Sequence, residues 1–270
     1  MAPDVPAALR QLARLFADLI LDRHCIGCQS APTTLCARCW SILVEPPPQL
    51  ICLSARGPRP PATAAPEHPD HPVHRPTTVA AAGPYSGLLR RVILAHKENA
   101  ERSLTAPLGI LLARAICAIV AADVPILLIP VPPHRQSLRR RGEDTVKAIA
   151  VSAAQSLCQV GIPAHAVSAL RRVPGTEQQA WATGDQRRTR QQNTMYVPDG
   201  YFSSGHFSSG YVSSRMSPRP IASSQVLIVD DVLTTGATGL EALRALTGGP
   251  LPPAHEVRLT VLAAVTAHGD

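Results

Sequence analysis

An α/β fold, with a parallel sheet flanked by helices and a small cysteine module ahead of it, is predicted by three features of the sequence. Short apolar, β-branched runs at 126–131 (ILLIPV) and 226–229 (VLIV) suit strands buried on both faces of a parallel sheet. Segments with apolar residues at i, i+3 and i+4 lie between such runs, as helices packed on the sheet would. Four of the seven cysteines fall in two Cys-x-x-Cys pairs near the N-terminus and mark off that stretch. A chain of 270 residues is long enough for a full α/β core and an appended module.

The elements follow in order. Asp4 to Asp22 places Val5, Ala8, Leu9, Leu12, Leu15, Phe16, Leu19 and Ile20 on one face of an amphipathic helix. Its arginines are too few to favour a membrane surface over simple packing. Next come Cys25, Cys28, Cys36 and Cys39, two Cys-x-x-Cys turns separated by seven residues. Each turn can present two thiolates to one tetrahedral ion, which points to zinc in a knuckle or ribbon with a structural role. Redox chemistry is the competing reading of one such pair, and the second pair weakens it. Cys52, Cys117 and Cys158 sit in apolar patterns and read as small buried hydrophobes.

From Glu45 to Pro76 the proline density predicts an extended linker without helix or sheet, and His68, His71 and His74 in it read as solvent-exposed. The organisation expected is therefore a helix and cysteine module over 1–52, a linker over 53–76 and the α/β domain over 77–270. Within that domain Val79 to Tyr85 reads as a strand, Ser86 to Lys97 and Leu104 to Ala121 as helices, and 126–131 as a buried strand. The turn after Val131 and Pro132 leads to Arg139, Arg140 and Arg141, and a helix is expected from Glu143 to Leu157. His165 to Leu170 and Val257 to Val265 read as further strands, and the Phe-Ser-Ser-Gly repeats of 199–224 as a flexible insertion.

The stretch 226–239 (VLIVDDVLTTGATG) carries the chemistry. Asp230 and Asp231 would stand where the strand leaves the sheet, and Thr234, Thr235, Gly236, Ala237 and Thr238 form a small polar turn into a helix. Backbone N–H groups and the positive helix end at such a turn favour a phosphate, while carboxylates accept hydrogen bonds from hydroxyls. Together they fit a sugar phosphate. The Lys of a Walker loop is missing, as is the spacing of a dinucleotide fingerprint. The bland alternative is a capped helix behind a strand, with the acids facing solvent.

The formal charge of +7 favours anionic partners without choosing among them, and aromatics at 3% argue against a stacking platform for single strands. No apolar pattern reaches the roughly 18 residues that would span a bilayer. With no signal peptide evident and cysteines paired as metal ligands, the sequence predicts a cytoplasmic protein without membrane insertion.

These residues resemble the phosphoribosyl pyrophosphate (PRPP) motif of type I phosphoribosyltransferases. The segments PYSGLLR with Lys97, IPVPPHR with RRRG, and Leu170-Arg171-Arg172 with Gln178, Gln179, Arg190 and Asn193 resemble the ComF family, competence-associated proteins with a zinc module ahead of a type I domain. The resemblance implies PRPP with Mg²⁺ as ligand, Asp230 and Asp231 on the ribose, and Thr234 to Thr238 on the 5′-phosphate. It places pyrophosphate on Val131, Pro132, Arg139, Arg140 and Arg141, and a mobile hood over 171–193. It implies phosphoribosyl transfer to an acceptor. Alternatively, the fold serves as a non-catalytic handler of single-stranded DNA alongside DNA-uptake proteins. One departure stands out: Glu143, Asp144 and Thr145 replace the family's aromatic, Asn and Gln, and added carboxylates should weaken anion binding unless Mg²⁺ lies between.

Overall fold

The structure, a computed structural model, describes residues 24–30, 33–54, 57–59, 77–121, 123–175, 193–202, 224–248 and 257–265. The helix expected over 4–22, the three linker histidines, and most of the hood and of the 199–224 insertion lie outside them. The strands are β1 (Gln49–Ser54), β2 (Gly57–Arg59), β3 (Thr77–Pro84), β4 (Ile126–Pro130), β5 (Ala164–Ala166), β6 (Arg171–Arg172), β7 (Met195–Tyr196), β8 (Gln225–Leu233) and β9 (Val257–Ala264). The helices are α1 (Ala37–Val44), α2 (Gly87–Glu98), α3 (Thr105–Cys117), α4 (Arg135–Arg141), α5 (Thr145–Gln159) and α6 (Ala237–Thr247).

Seven strands form one sheet in the order β2-β1-β3-β9-β8-β4-β5, and β6 pairs with β7 as a separate ribbon. From β3 to β5 every pairing is parallel, while β1 is antiparallel to both neighbours. Alternate residues of the central strands supply two apolar layers, as the period of a strand requires. Leu227 and Val229 of β8 join α2, α3 and α5 on one face, and Val226 and Ile228 join α6 and Met195 on the other. Among the described residues, no helix is long and apolar enough to cross a membrane.

Several expectations need correction. Residues 49–54 and 57–59 belong to the sheet, although the proline count of 45–76 argued against any strand there. The run QLICLS contains no proline, and Pro58 lies on the edge strand, where a missing N–H costs least. Cys117 and Cys158 are exposed and Cys52 half-buried, because the first two occupy the last turns of α3 and α5. The arginine cluster forms a helix, α4, stopped by Gly142 in the left-handed conformation at φ 74°. Helix α5 starts two residues later than expected, with Asp144 as its cap.

Candidate functional site

Strands β4 and β8 are neighbours, but the chain leaves them in opposite directions. From β4 it passes through α5, on one face, outward to β5; from β8 it passes through α6, on the other face, to β9. Such a switch point opens a crevice at the carboxyl ends of the strands, where open α/β sheets bind ligands. Pairing of β4 with β8 ends at Pro130 opposite Val229, followed by a hydrogen bond from Val131 N to Val229 O (2.8 Å). Strand β8 continues beside β9 as far as Leu233. The acids, expected where the strand leaves the sheet, sit on β8 itself, at the fork where β4 peels away.

Two acids and two cations bear on one another there. Asp231 forms an ion pair with Lys97, near the end of α2. Asp230 accepts a hydrogen bond from Asp231 N (2.9 Å), and its carboxyl is pushed up to about 7. Loss of hydration is the main cause and the neighbouring Asp231 charge the second, opposed by that N–H, Lys97 and Arg172. Arg172, on β6, donates from Nε to the carbonyl of Pro132 (2.8 Å) in the turn after β4. The sequence singled out the acids and Pro132; it did not single out Lys97 and Arg172 as their partners. Both were legible only as parts of the family resemblance, since nothing local ties residue 97 or 172 to residue 231.

The turn after β8 is made by Thr234, Thr235 and Gly236, with Ala237 and Thr238 already in α6. Gly236 takes φ 76°, and Thr235 Oγ1 accepts a hydrogen bond from Ala237 N (3.4 Å). A hollow of about 20 Å³ joins this turn to Asp230, enough for one water and less than a phosphate needs. A Cβ on Gly236 would come within 2.2 Å of Leu53 Cδ1, so β1 packs directly under the turn.

Around the other arm of the crevice, Arg140 and Arg141 reach Glu98 (2.6 and 2.9 Å), while Arg139 is exposed. Val131 is buried. With His96, Lys97, Glu143 and Thr145, Arg140 and Arg141 line a cavity of about 150 Å³. His96 is buried against Thr105 Oγ1 (2.9 Å), and burial lowers its pKa against the opposing charges of Glu143, Asp231 and Glu101. Of the two neighbouring carboxylates, Glu143 lines this cavity while pairing with Arg102 (3.0 Å), and Asp144 accepts from Lys147 N (2.9 Å) as the cap of α5.

The sulfurs of Cys25, Cys28, Cys36 and Cys39 all lie within 4.8 Å of one another and could hold a metal ion such as zinc. A tetrahedral site with Zn–S near 2.3 Å needs sulfurs about 3.8 Å apart; Cys28 and Cys36 are at 3.5 Å. Backbone N–H groups point at two of the sulfurs, Cys36 N to Cys25 Sγ (3.3 Å) and Cys39 N to Cys36 Sγ (3.5 Å). Bonds of that kind stabilise thiolates. Two of the thiols are driven in opposite directions: Ser30 draws Cys28 down to about 6, while burial and the other three sulfurs push Cys39 up to about 12. Gly27 has no room for a side chain, as its Cβ would lie 2.3 Å from Cys39 Sγ and 3.1 Å from Leu88 of α2. The module is thus seated on the first turn of the helix that ends near Lys97, and Ser103 Oγ bonds Thr34 Oγ1 (3.1 Å) beside it.

A scan against protein-family models finds no match to this chain, and a search of curated proteins finds no significant relative.

Proposed function

We propose that the chain binds PRPP with Mg²⁺ in the crevice between β4 and β8, as a type I phosphoribosyltransferase-like protein resembling the ComF family. The observation that carries this reading is the position of Asp230 and Asp231 at the topological switch point, adjoining a threonine-rich turn that opens a helix. In this reading the ribose hydroxyls sit on the two carboxylates and the 5′-phosphate on the turn after Leu233. Pyrophosphate faces the turn at Val131 and Pro132 with the cations nearest it. Transfer to an acceptor would proceed by displacement of pyrophosphate at the anomeric carbon, with the chain's own part being to hold the leaving group and the ring in line. Mg²⁺ would supply neutralisation of the pyrophosphate charge. The 20 Å³ hollow implies that the turn must widen to take a phosphate.

The single-stranded DNA reading draws less support. Arg102, Arg140 and Arg141 are already paired with Glu143 and Glu98, which reduces the free positive charge on that side of the crevice. Isothermal titration with Mg-PRPP separates the two. Binding that is lost in Asp230→Asn/Asp231→Asn is expected. No PRPP binding, together with salt-sensitive oligonucleotide binding, would overturn the proposal in favour of nucleic acid.

A further inference from the structure

Glu241 is an acidic residue buried in an apolar layer, only 4% exposed, and the crevice does not use it directly. It lies on α6 among Ala242, Ala245 and Leu246, where a leucine would pack at no electrostatic cost. Its carboxylate is fully engaged. Oε1 accepts from Met195 N (2.9 Å) and from Arg244 Nη2 (2.9 Å), and Oε2 from Arg244 Nε (2.7 Å). Arg244 Nη2 also donates to Met195 O (2.9 Å). Two side chains of α6 therefore hold both the N–H and the C=O of one residue in β7, as a neighbouring strand would.

That residue has a particular position. Met195 is the register partner of Arg172 in the β6–β7 ribbon, and Val173 N bonds Thr194 O (2.9 Å) next to them. Strands of two residues are too short to fix themselves by their own ladder. Arg172 nevertheless reaches Pro132 O, and its charge is felt at Asp230, where it favours the carboxylate.

We propose that Glu241 and Arg244 form a lock that fixes the ribbon to the helix of the threonine turn and so positions Arg172 over the acid pair. They are positioning residues for the ligand of the crevice. Only the identity of that ligand rests on the PRPP reading. The lock ties three parts of the crevice into one unit: the turn through α6, the Pro132 loop through Arg172, and the acids through the charge of Arg172. Displacing the ribbon should act on the acids as removal of the guanidinium does, because the same charge leaves in both cases.

The test reads Asp230 itself, by ¹³C-carboxyl NMR titration of the unliganded protein, with Asp231, Lys97 and Arg172 as the charged groups facing it. Arg172→Gln and Glu241→Ala are each expected to raise the Asp230 midpoint by the same amount, at most about one pH unit because Arg172 is the weakest of the influences on that carboxyl, and the double variant no further than either. Glu241→Gln, which keeps an oxygen for Met195 N, should fall between wild type and Glu241→Ala; Arg244→Gln serves as a milder probe where Glu241→Ala folds poorly. A midpoint unmoved in Glu241→Ala and Arg244→Gln, or shifts that add in the double variant, would overturn the lock. Mg-PRPP affinity is expected to weaken roughly fivefold in Glu241→Ala. Absence of PRPP binding by the wild type would sink the ligand reading and leave the titration to decide the lock.

Discussion

Asp230→Asn is expected to stabilise the unliganded protein at alkaline pH while removing a residue assigned to the ligand. The Asp230 carboxyl is pushed up to about 7, by its loss of hydration first and by Asp231 second. In an unfolded chain an aspartate titrates near 4. Between roughly pH 4 and 7 the folded state thus keeps a proton that the unfolded chain has released, so unfolding free energy falls across that window and stays low above it. Three pH units at about 1.4 kcal/mol each set a ceiling of roughly 4 kcal/mol. Asp230 retains some solvent access and titrates together with Asp231, so about 2 kcal/mol is the reasonable share. Asparagine has the same shape and never ionises. At about 2–4 °C per kcal/mol for a chain of this size, the wild type should lose roughly 4–8 °C relative to the variant between about pH 4 and 7 and no more above it. Paired thermal melts by circular dichroism would show curves that coincide near pH 4, separate between about pH 4 and 7, and run parallel above that. Curves that stay parallel over the whole range would mean that Asp230 titrates alike in the folded and unfolded chain, and would refute the argument from burial.

Other perturbations test the remaining parts. Lys97→Met removes the cation from Asp231, and for a pair only partly exposed (28% and 13%) the expected loss is about 1–2 kcal/mol, read by urea unfolding at pH 8. Gly27→Ala drives a methyl group into Cys39 Sγ and should bring the metal content well below one ion per chain by elemental analysis, with a lowered Tm. A strong chelator should lower the Tm of the wild type and leave that of Cys36→Ser/Cys39→Ser unmoved. Gly236→Ala forces a side chain into φ 76° and against Leu53; a loss of about 1–3 kcal/mol by denaturant melts is expected.

The central strands and the cysteine cluster were legible because their signals are local. Val226 to Val229 and Ile126 to Pro130 are unbroken apolar runs, and the spacing of the four cysteines carries its own geometry. What escaped was whatever depends on the fold to bring it together. Lys97 and Asp231 lie 134 residues apart, and no pattern near either names the other. Glu241 falls one position after Leu240 in a helix whose periodicity reads from Leu240, Leu243 and Leu246, which assigns it to the polar side; the ribbon that covers it cannot be inferred from that periodicity. Strand β1 has no proline among its own six residues, and the prolines on either side of it within 45–76 mask its signal.

The charge arrangement at the fork argues for use more than for stability. Adjacent carboxylates on one strand repel, and here one is held partly protonated near neutral pH while the other depends on a lysine from a different helix. Amides at both positions would fold more easily, since neither could carry a buried charge. Strain of this kind collects where a ligand relieves it. A ligand that offers hydroxyls to the acids, or a cation between them, would draw the proton off Asp230 and turn the repulsion into binding. The acids occupy the switch point between β4 and β8, where the topology leaves an opening, and the lysine and arginine that balance them come from two other segments of the chain. Convergence of distant charges on such an opening is what a capped helix with solvated acids would not require.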